Sequence, residues 1–459
     1  MSGNRYEINM TEGPLWSKIA LFTVPLMLTS FLQLLYNAAD NVVVGRFAQD
    51  GEAALAAVGS TGALINLIVN LFIGLSVGTS IVVAQYTGAR KDQEVHETVH
   101  TSVLVSIIFG LILMVIGVTL AKPLLRMMSS PDNVIDLAAV YMRIYFAGMP
   151  FNMLYNFGSA CLRAVGDTRR PMFILIFSGA VNVVLNLVFV ICFHMDVAGV
   201  ALATIISQAI SAGLVVWCLM RTDGSIRLNL RKLRIYPARL RALARYGMPA
   251  GFQGMLFSLS NVIIQSSVNG FLKTVMAGNT VASNLEGFVY AMMNTLYQSA
   301  LTFVGQNVGA KKYHRVAKIT LICGVYVTIV GLVGGIGVYR FGAPLISIYN
   351  NEPEVIKAGL NRLKWVCQPY VLCGYMDMFV GSLRGMGKSV MPMIVSLMGA
   401  CVLRIIWIAT VFRANHTLNV LYASYPISWF VTALTHFICY IWSYKELLKR
   451  GDEAPETAL

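Results

Sequence analysis

Long apolar stretches alternate with short polar interruptions along almost the whole chain. They fall near residues 15–45, 54–86, 97–121, 134–160, 171–193, 197–220, 246–272, 280–308, 316–339, 355–383, 390–412 and 417–444. A helix rises 1.5 Å per residue, so each stretch is long enough to cross the roughly 30 Å of hydrocarbon in a bilayer. The pattern predicts an all-α integral membrane protein with twelve transmembrane helices. The spacing within the chain also repeats. VAQYTGARK begins at Val83 and returns as VGQNVGAKK at Val304, an offset of 304 − 83 = 221 residues. The same offset relates Leu162, Arg163, Gly166 and Pro171 to Leu383, Arg384, Gly387 and Pro392, and Ile135 to Ile356. A constant offset at separated places indicates a duplicated unit. Six crossings per half is an even number, so both halves enter the membrane from the same side, as parallel repeats about an axis along the membrane normal. The expected division is an N-terminal six-helix lobe (1–220), a basic linker (221–245), a C-terminal six-helix lobe (246–444) and a tail (445–459).

Composition agrees with this picture. Hydrophobic residues make up 57% of the chain, charged residues 12%, and the mean hydropathy is +0.67, far from the charge content of a soluble domain. The net charge of +14 would suggest nucleic acid in a soluble chain. Here it follows from topology. Segment 221–245 holds eight Lys/Arg and one acid, Asp223, and 24 of the 35 Lys/Arg fall in the termini and the loops on the same side as that linker. The positive-inside rule makes this side cytoplasmic, so both termini are expected in the cytoplasm of a cell-membrane protein, with no nucleic-acid partner. The eight cysteines show no CxxC spacing and read as small core residues.

Without a soluble catalytic domain, such a chain acts through its intramembrane polar groups, and ionisable residues in a bilayer are functional candidates by default. Four stand out: Asp40, Glu286, Asp377 and Arg404. Asp40 ends a stripe of Thr29, Gln33, Tyr36 and Asp40, which the 4, 3 and 4 residue spacing puts on one helix face. Ser178, Asn182 and Asn186 form a second stripe, and Asn66 with Asn70 a shorter one. All are expected to converge on one site in the first half, though interhelical hydrogen bonding alone would also account for the asparagines. In the second half Glu286 heads a face continued by Tyr290, Asn294 and Tyr297. Arg404 lies at similar depth, which suggests a Glu286–Arg404 ion pair, and Arg404 is taken as the one evident buried base. The repeat does not copy the acids, since 286 − 221 is Ile65 and 377 − 221 is Asn156. Pro25 and Pro249 are near-counterparts, each removing a backbone hydrogen bond and expected to bend its helix.

One motif points elsewhere. His96, Glu97 and His100 spell HETVH, matching the HExxH zinc-peptidase pattern. It stands at the start of the third stretch beside GARKDQEV, where a solvated face is expected, and no third ligand stands out.

The segment from Pro25 through YNAADNVVVGR, then AQYTGARK, LRAVGDTRRPM, NVVLN, EGFVYAMMNTLYQSALTFVGQNVGAKK and LRGMGKSVMP, taken as an ordered set, resembles the multidrug and toxic compound extrusion (MATE) transporters of the multidrug, oligosaccharide-lipid and polysaccharide flippase group. The resemblance implies two six-helix lobes around a central cavity and alternating access. It implies export of amphipathic organic cations driven by protons or sodium, with no enzymatic activity and no cofactor beyond the coupling ion; a monomer in contact with membrane lipid is expected. Asp40 matches the family's coupling aspartate on the first helix and Asn182 its fifth-helix asparagine, while Asn186 stands where many members carry aspartate. Some members use a glutamate on the seventh helix, where this chain offers Gln253, Asn261 and Gln265. The alternative within transport is flipping of a lipid-linked precursor.

Overall fold

A computed structural model describes residues 6–47, 51–127 and 135–452, and among them there is helix but no strand. Helices α1 (Leu15–Phe47), α2 (Gly51–Gly88) and α3 (Asp92–Met127) are followed by a broken pair, α4 (Ile135–Ala147) and α5 (Met149–Ala164). Then come α6 (Arg169–Leu187), which runs into a π turn at Val188–Cys192, and α7 (Asp196–Arg221). The second half repeats the order. It has α8 (Pro237–Val268), α9 (Lys273–Gly309) and α10 (Tyr313–Arg340), then short α11 (Gly342–Ser347) and a second broken pair, α12 (Pro353–Val366) and α13 (Tyr370–Gly385). Next are α14 (Val390–Ser396) and α15 (Leu403–Trp407), with π turns at Leu397–Val402 and Ile408–Phe412, and finally α16 (Leu418–Asp452). Among the described residues seven helical spans, one of them the continuous run Val390–Phe412 through α14 and α15, are long and apolar enough to cross a membrane, and the other five apolar stretches become α4/α5, α8, α9, α12/α13 and α16. Large apolar side chains such as Val24, Phe173, Phe177, Leu321 and Val333 are more than half exposed, as lipid-facing positions must be.

The duplication extends to backbone irregularities. The breaks at Gly148 and Pro369, the residues capping α5 and α13, are 369 − 148 = 221 apart. Gly166 (φ 99°) and Gly387 (φ 83°) both adopt the left-handed conformation, and so do the non-glycines Arg90 (φ 56°) and Lys311 (φ 57°), each pair again 221 apart. A left-handed Arg or Lys is uncommon, so its recurrence marks the same tight turn twice.

The described residues fall into two compact units: 6–8, 28–47, 51–87, 91–127 and 135–255 in one, and 9–27, 88–90 and 256–452 in the other. In the first, Gly74 and Gly78 of α2 meet Gly251 and Gly247 of α8 so closely that a Cβ on Gly74 would lie 2.1 Å from the Gly251 nitrogen. In the second, the start of α1 packs on α9. The Thr23 and Ser299 hydroxyls share a 2.7 Å hydrogen bond, Phe22 and Phe303 meet edge to face with centroids 5.5 Å apart, and Asn307 donates to the Met10 carbonyl.

Helix ends differ from the expected boundaries. The helix expected from 246 begins at Pro237, because PARLRALAR supplies a proline at the first helical position and strong helix formers after it. The expected tail at 445 is helical to Asp452, since KELLKR favours helix; residues 453–459 lie outside the described residues. Pro25 and Pro249 sit inside uninterrupted helices.

Candidate functional site

The first unit assembles a polar site from α1 and α6. On α1, four-residue spacing brings Tyr36 and Asp40 to one face. Opposite, Gly179 of α6 leaves room for the Tyr36 ring, since a Cβ there would lie 1.9 Å from it. The Tyr36 hydroxyl donates to the Ile176 carbonyl at 3.3 Å. One turn on, Asn186 Nδ2 donates a short hydrogen bond to Asp40 Oδ1 and reaches Asn182 Oδ1 at 3.3 Å. Asn186 Oδ1 is buried without a hydrogen-bond partner among the described residues. The result is a half-buried carboxylate that accepts from the amide nitrogen of Asn186, with the amide oxygen of Asn182 on the other side of that nitrogen. Tyr141 and Tyr145 of α4, stacked with centroids 6.0 Å apart, stand within electrostatic reach of Asp40. Gln208 of α7 bonds Tyr145. None of these three was singled out from sequence; the one available signal was the i, i+4 spacing of the tyrosines in an apolar run.

Convergence of all the stripes does not hold. Gln33 and Asn66 are exposed. Asn70 packs by Gly254 of α8, whose Cβ position lies 3.5 Å from the Asn70 Cβ. Ser178 is buried and turned back to the Leu175 carbonyl.

The second unit corrects the ion pairing. Glu286 of α9 pairs with Arg362 of α12, through Nε–Oε1 at 2.7 Å and Nη2–Oε2 at 2.8 Å, and not with Arg404. Arg362 Nη1 donates to Asn279 Oδ1 at 2.7 Å, Asn279 Nδ2 donates to Gln265 Oε1, and the Tyr422 hydroxyl donates to Asn279 Oδ1. Gln265 is thus part of a structural network, while Asn261 is exposed. Arg362 and Arg384 are as buried as Arg404, so Arg404 is not the one buried base. Arg384 donates to the Tyr297 hydroxyl at 2.6 Å, and Gln298 donates to Asn294 at 3.4 Å. Asp377 of α13 is buried and acts electrostatically on exposed Tyr290 and on Cys373 one turn away.

The HETVH residues serve packing. His100 Nδ1 donates to the His96 carbonyl at 2.8 Å, and His100 Nε2 accepts from the Asn229 backbone N–H at 3.1 Å. Glu97 pairs with Arg239 at 2.9 Å. With both His100 nitrogens and the Glu97 carboxylate engaged, the motif anchors the linker and is not arranged as a metal site.

The family model MatE matches the chain twice, at residues 25–188 and 249–410, one match on each repeat. The chain belongs to the MatE family. Among MatE relatives, a probable multidrug resistance protein, YoeA of Bacillus subtilis, is 28% identical over 95% of this chain and 96% of its own length. Another from the same organism, YpnP, is 27% identical over 86% of this chain and 88% of its own. A solved outward-facing multidrug resistance MATE transporter superposes with a TM-score of 0.90 at 21% identity, covering 98% of this chain and 100% of the other. The MatE fold is therefore that of a multi-pass membrane transporter with two repeated halves.

Proposed function

We propose that this MatE protein is a secondary transporter exporting amphipathic organic cations by alternating access, driven by inward movement of protons or sodium ions with Asp40 as the coupling carboxylate. The carrying observation is the Asp40–Asn186–Asn182 constellation. An ionised carboxylate only accepts hydrogen bonds, and Asn186 meets it with its amide nitrogen. A protonated Asp40 must donate, and rotation of the Asn186 amide would present its unengaged Oδ1 to receive that proton. The pair can thus satisfy both protonation states at nearly fixed geometry. An aspartate at 186 would lack the donor. Sodium would instead use the carboxylate and amide oxygens directly. Either ion neutralises Asp40, removes its attraction for a cationic cargo and biases the packing of α1 on α6. Transport of drug-like molecules is supported by the multidrug-resistance names of the relatives above, and cytoplasmic termini by the basic 221–245 segment.

A lipid-linked pyrophosphate would need several free bases. Arg362 is neutralised by Glu286, which disfavours that cargo.

Efflux of rhodamine 123 from proteoliposomes under an imposed proton gradient, and separately under a sodium gradient, tests the reading. One gradient should drive export by the wild type, and Asp40→Asn, eluting as the wild type on size exclusion, should lose it by tenfold or more, on the order expected for a coupling residue. Dye movement unaffected by either gradient, or by the substitution, would overturn the proposal.

A further inference from the structure

Arg404 is a buried guanidinium that the first site does not use. It stands on α15, one helical turn and a half between two π turns, and is 6% exposed. Its Nε donates to Ser428 Oγ at 2.8 Å, and Ser428 is oriented for this because its own hydroxyl donates to the Tyr425 carbonyl. The guanidinium faces the rings of Tyr425 and Trp429, at 4.5 and 5.6 Å from their centroids. Among the described residues the Ser428 contact is its one hydrogen bond, and no carboxylate pairs with it.

Among the described residues the two buried acids of this unit, Glu286 and Asp377, do not fill that role. Both oxygens of Glu286 are taken by Arg362. Asp377 and Arg404 both act on Cys373 without bonding to each other. A buried, unpaired arginine costs several kcal/mol, and in membrane bundles such groups are normally paired or face a ligand. Stacking and the Ser428 bond hold this fork in one orientation with its Nη donors unspent. Orientation in advance lowers the entropic cost of binding a planar anion.

We propose that Arg404 is the recognition group for a carboxylate on the transported molecule, so that the preferred cargo is zwitterionic: its acid group on Arg404 and its cationic part toward Asp377, with Tyr425 and Trp429 against the apolar body. The proposal rests on the transporter reading and deepens it. A simple cation meets the charge of Arg404, a simple anion meets that of Asp377, and a molecule carrying both is matched at each end.

A pair of dyes isolates the acid group. Rhodamine 110 carries a free carboxylate, and rhodamine 123 is its methyl ester. Fluorescence polarisation with purified protein, without any ion gradient, gives the ratio of the two affinities. The wild type should favour rhodamine 110 by about tenfold or more, as expected for a charge-assisted bond. Arg404→Met should bring the ratio close to one, and Arg404→Lys should retain part of the preference, because a lysine keeps the charge without the fork. A wild-type ratio near one overturns the proposal, as does an undiminished preference in Arg404→Met. If Arg404→Met does not elute as folded protein, Arg404→Lys decides: a preference reduced severalfold supports the assignment and an unreduced one overturns it. Failure of gradient-driven efflux with the acid preference intact would remove ion coupling and leave this subsite standing; the opposite pattern would remove the subsite alone.

Discussion

A carboxylate inside an apolar bundle must find either a neutral donor or a cation, and Asp40 and Glu286 take different courses. Asp40 rests on an amide that can reverse its polarity, which suits a group that binds and releases an ion. Glu286 is held on both oxygens by Arg362, and its charge is spent. Removing one partner of such a pair leaves a buried uncompensated charge, at a cost of about 3–5 kcal/mol. We expect Glu286→Gln to lower the unfolding temperature of the purified protein markedly, and Glu286→Met with Arg362→Met to recover most of the loss; equal destabilisation by both would contradict a structural pair. The Asp40 stripe was legible because helical spacing is a local property. The Arg362 partnership was not, since Lys357, Arg362 and Lys364 at the start of an apolar run look like charges bordering the membrane, and only packing of α12 on α9 shows which is inside.

Between helices, bare backbone contact is the limiting constraint. Gly74 and Gly78 of α2 face Gly251 and Gly247 of α8 with no space for a methyl group, a close approach that small residues permit in membrane bundles. The other unit has the counterpart: Ser299 follows Gly78 by 221 residues, Thr23 precedes Gly247 by 247 − 23 = 224, and these two bond through their hydroxyls. The 224 matches the spacing of Pro25 and Pro249. Duplicated helices thus kept the crossing and exchanged glycine contact for a hydrogen bond. Gly74→Ala should sharply reduce the monodisperse fraction on size exclusion, because the obstacle is backbone that cannot rotate away, whereas Gly62→Ala, with open space around it, should behave as the wild type. Similar behaviour of the two would argue against a tight crossing. The π turns at Val188–Cys192 and Ile408–Phe412 also recur at nearly the repeat offset, starting two residues after Asn186 and four after Arg404. Extra residues in a turn rotate the side chains beyond it, which an ideal helical wheel does not anticipate.

For the molecule as a whole, the linker is a docked element of the first unit. Asn229 bonds His100, the Tyr236 N–H bonds the Thr101 hydroxyl, and Arg239 bonds both Glu97 and the Tyr86 hydroxyl. We expect His100→Ala to speed tryptic cleavage at Arg227 and Arg231 severalfold, read by gel, since a backbone donor would lose its acceptor. An unchanged cleavage rate would mean that this contact does not hold the linker.

The sequence by itself determined the membrane class, the twelve apolar segments and the duplication, because hydrophobic length, charge content and repeated strings are additive or local along the chain. It also put Asp40 and Asn186 forward as candidates for one site, since each lies on a polar helical face. Tertiary structure alone decided that Glu286 pairs with Arg362, that Arg404 stands against Tyr425 and Trp429 without an acid, that Tyr141 and Tyr145 attend Asp40, and that HETVH grips the linker. Each is a contact between residues from tens of positions to well over a hundred apart. Its energy depends on which helices pack and on how their turns are wound, and periodicity within one helix carries no information about either.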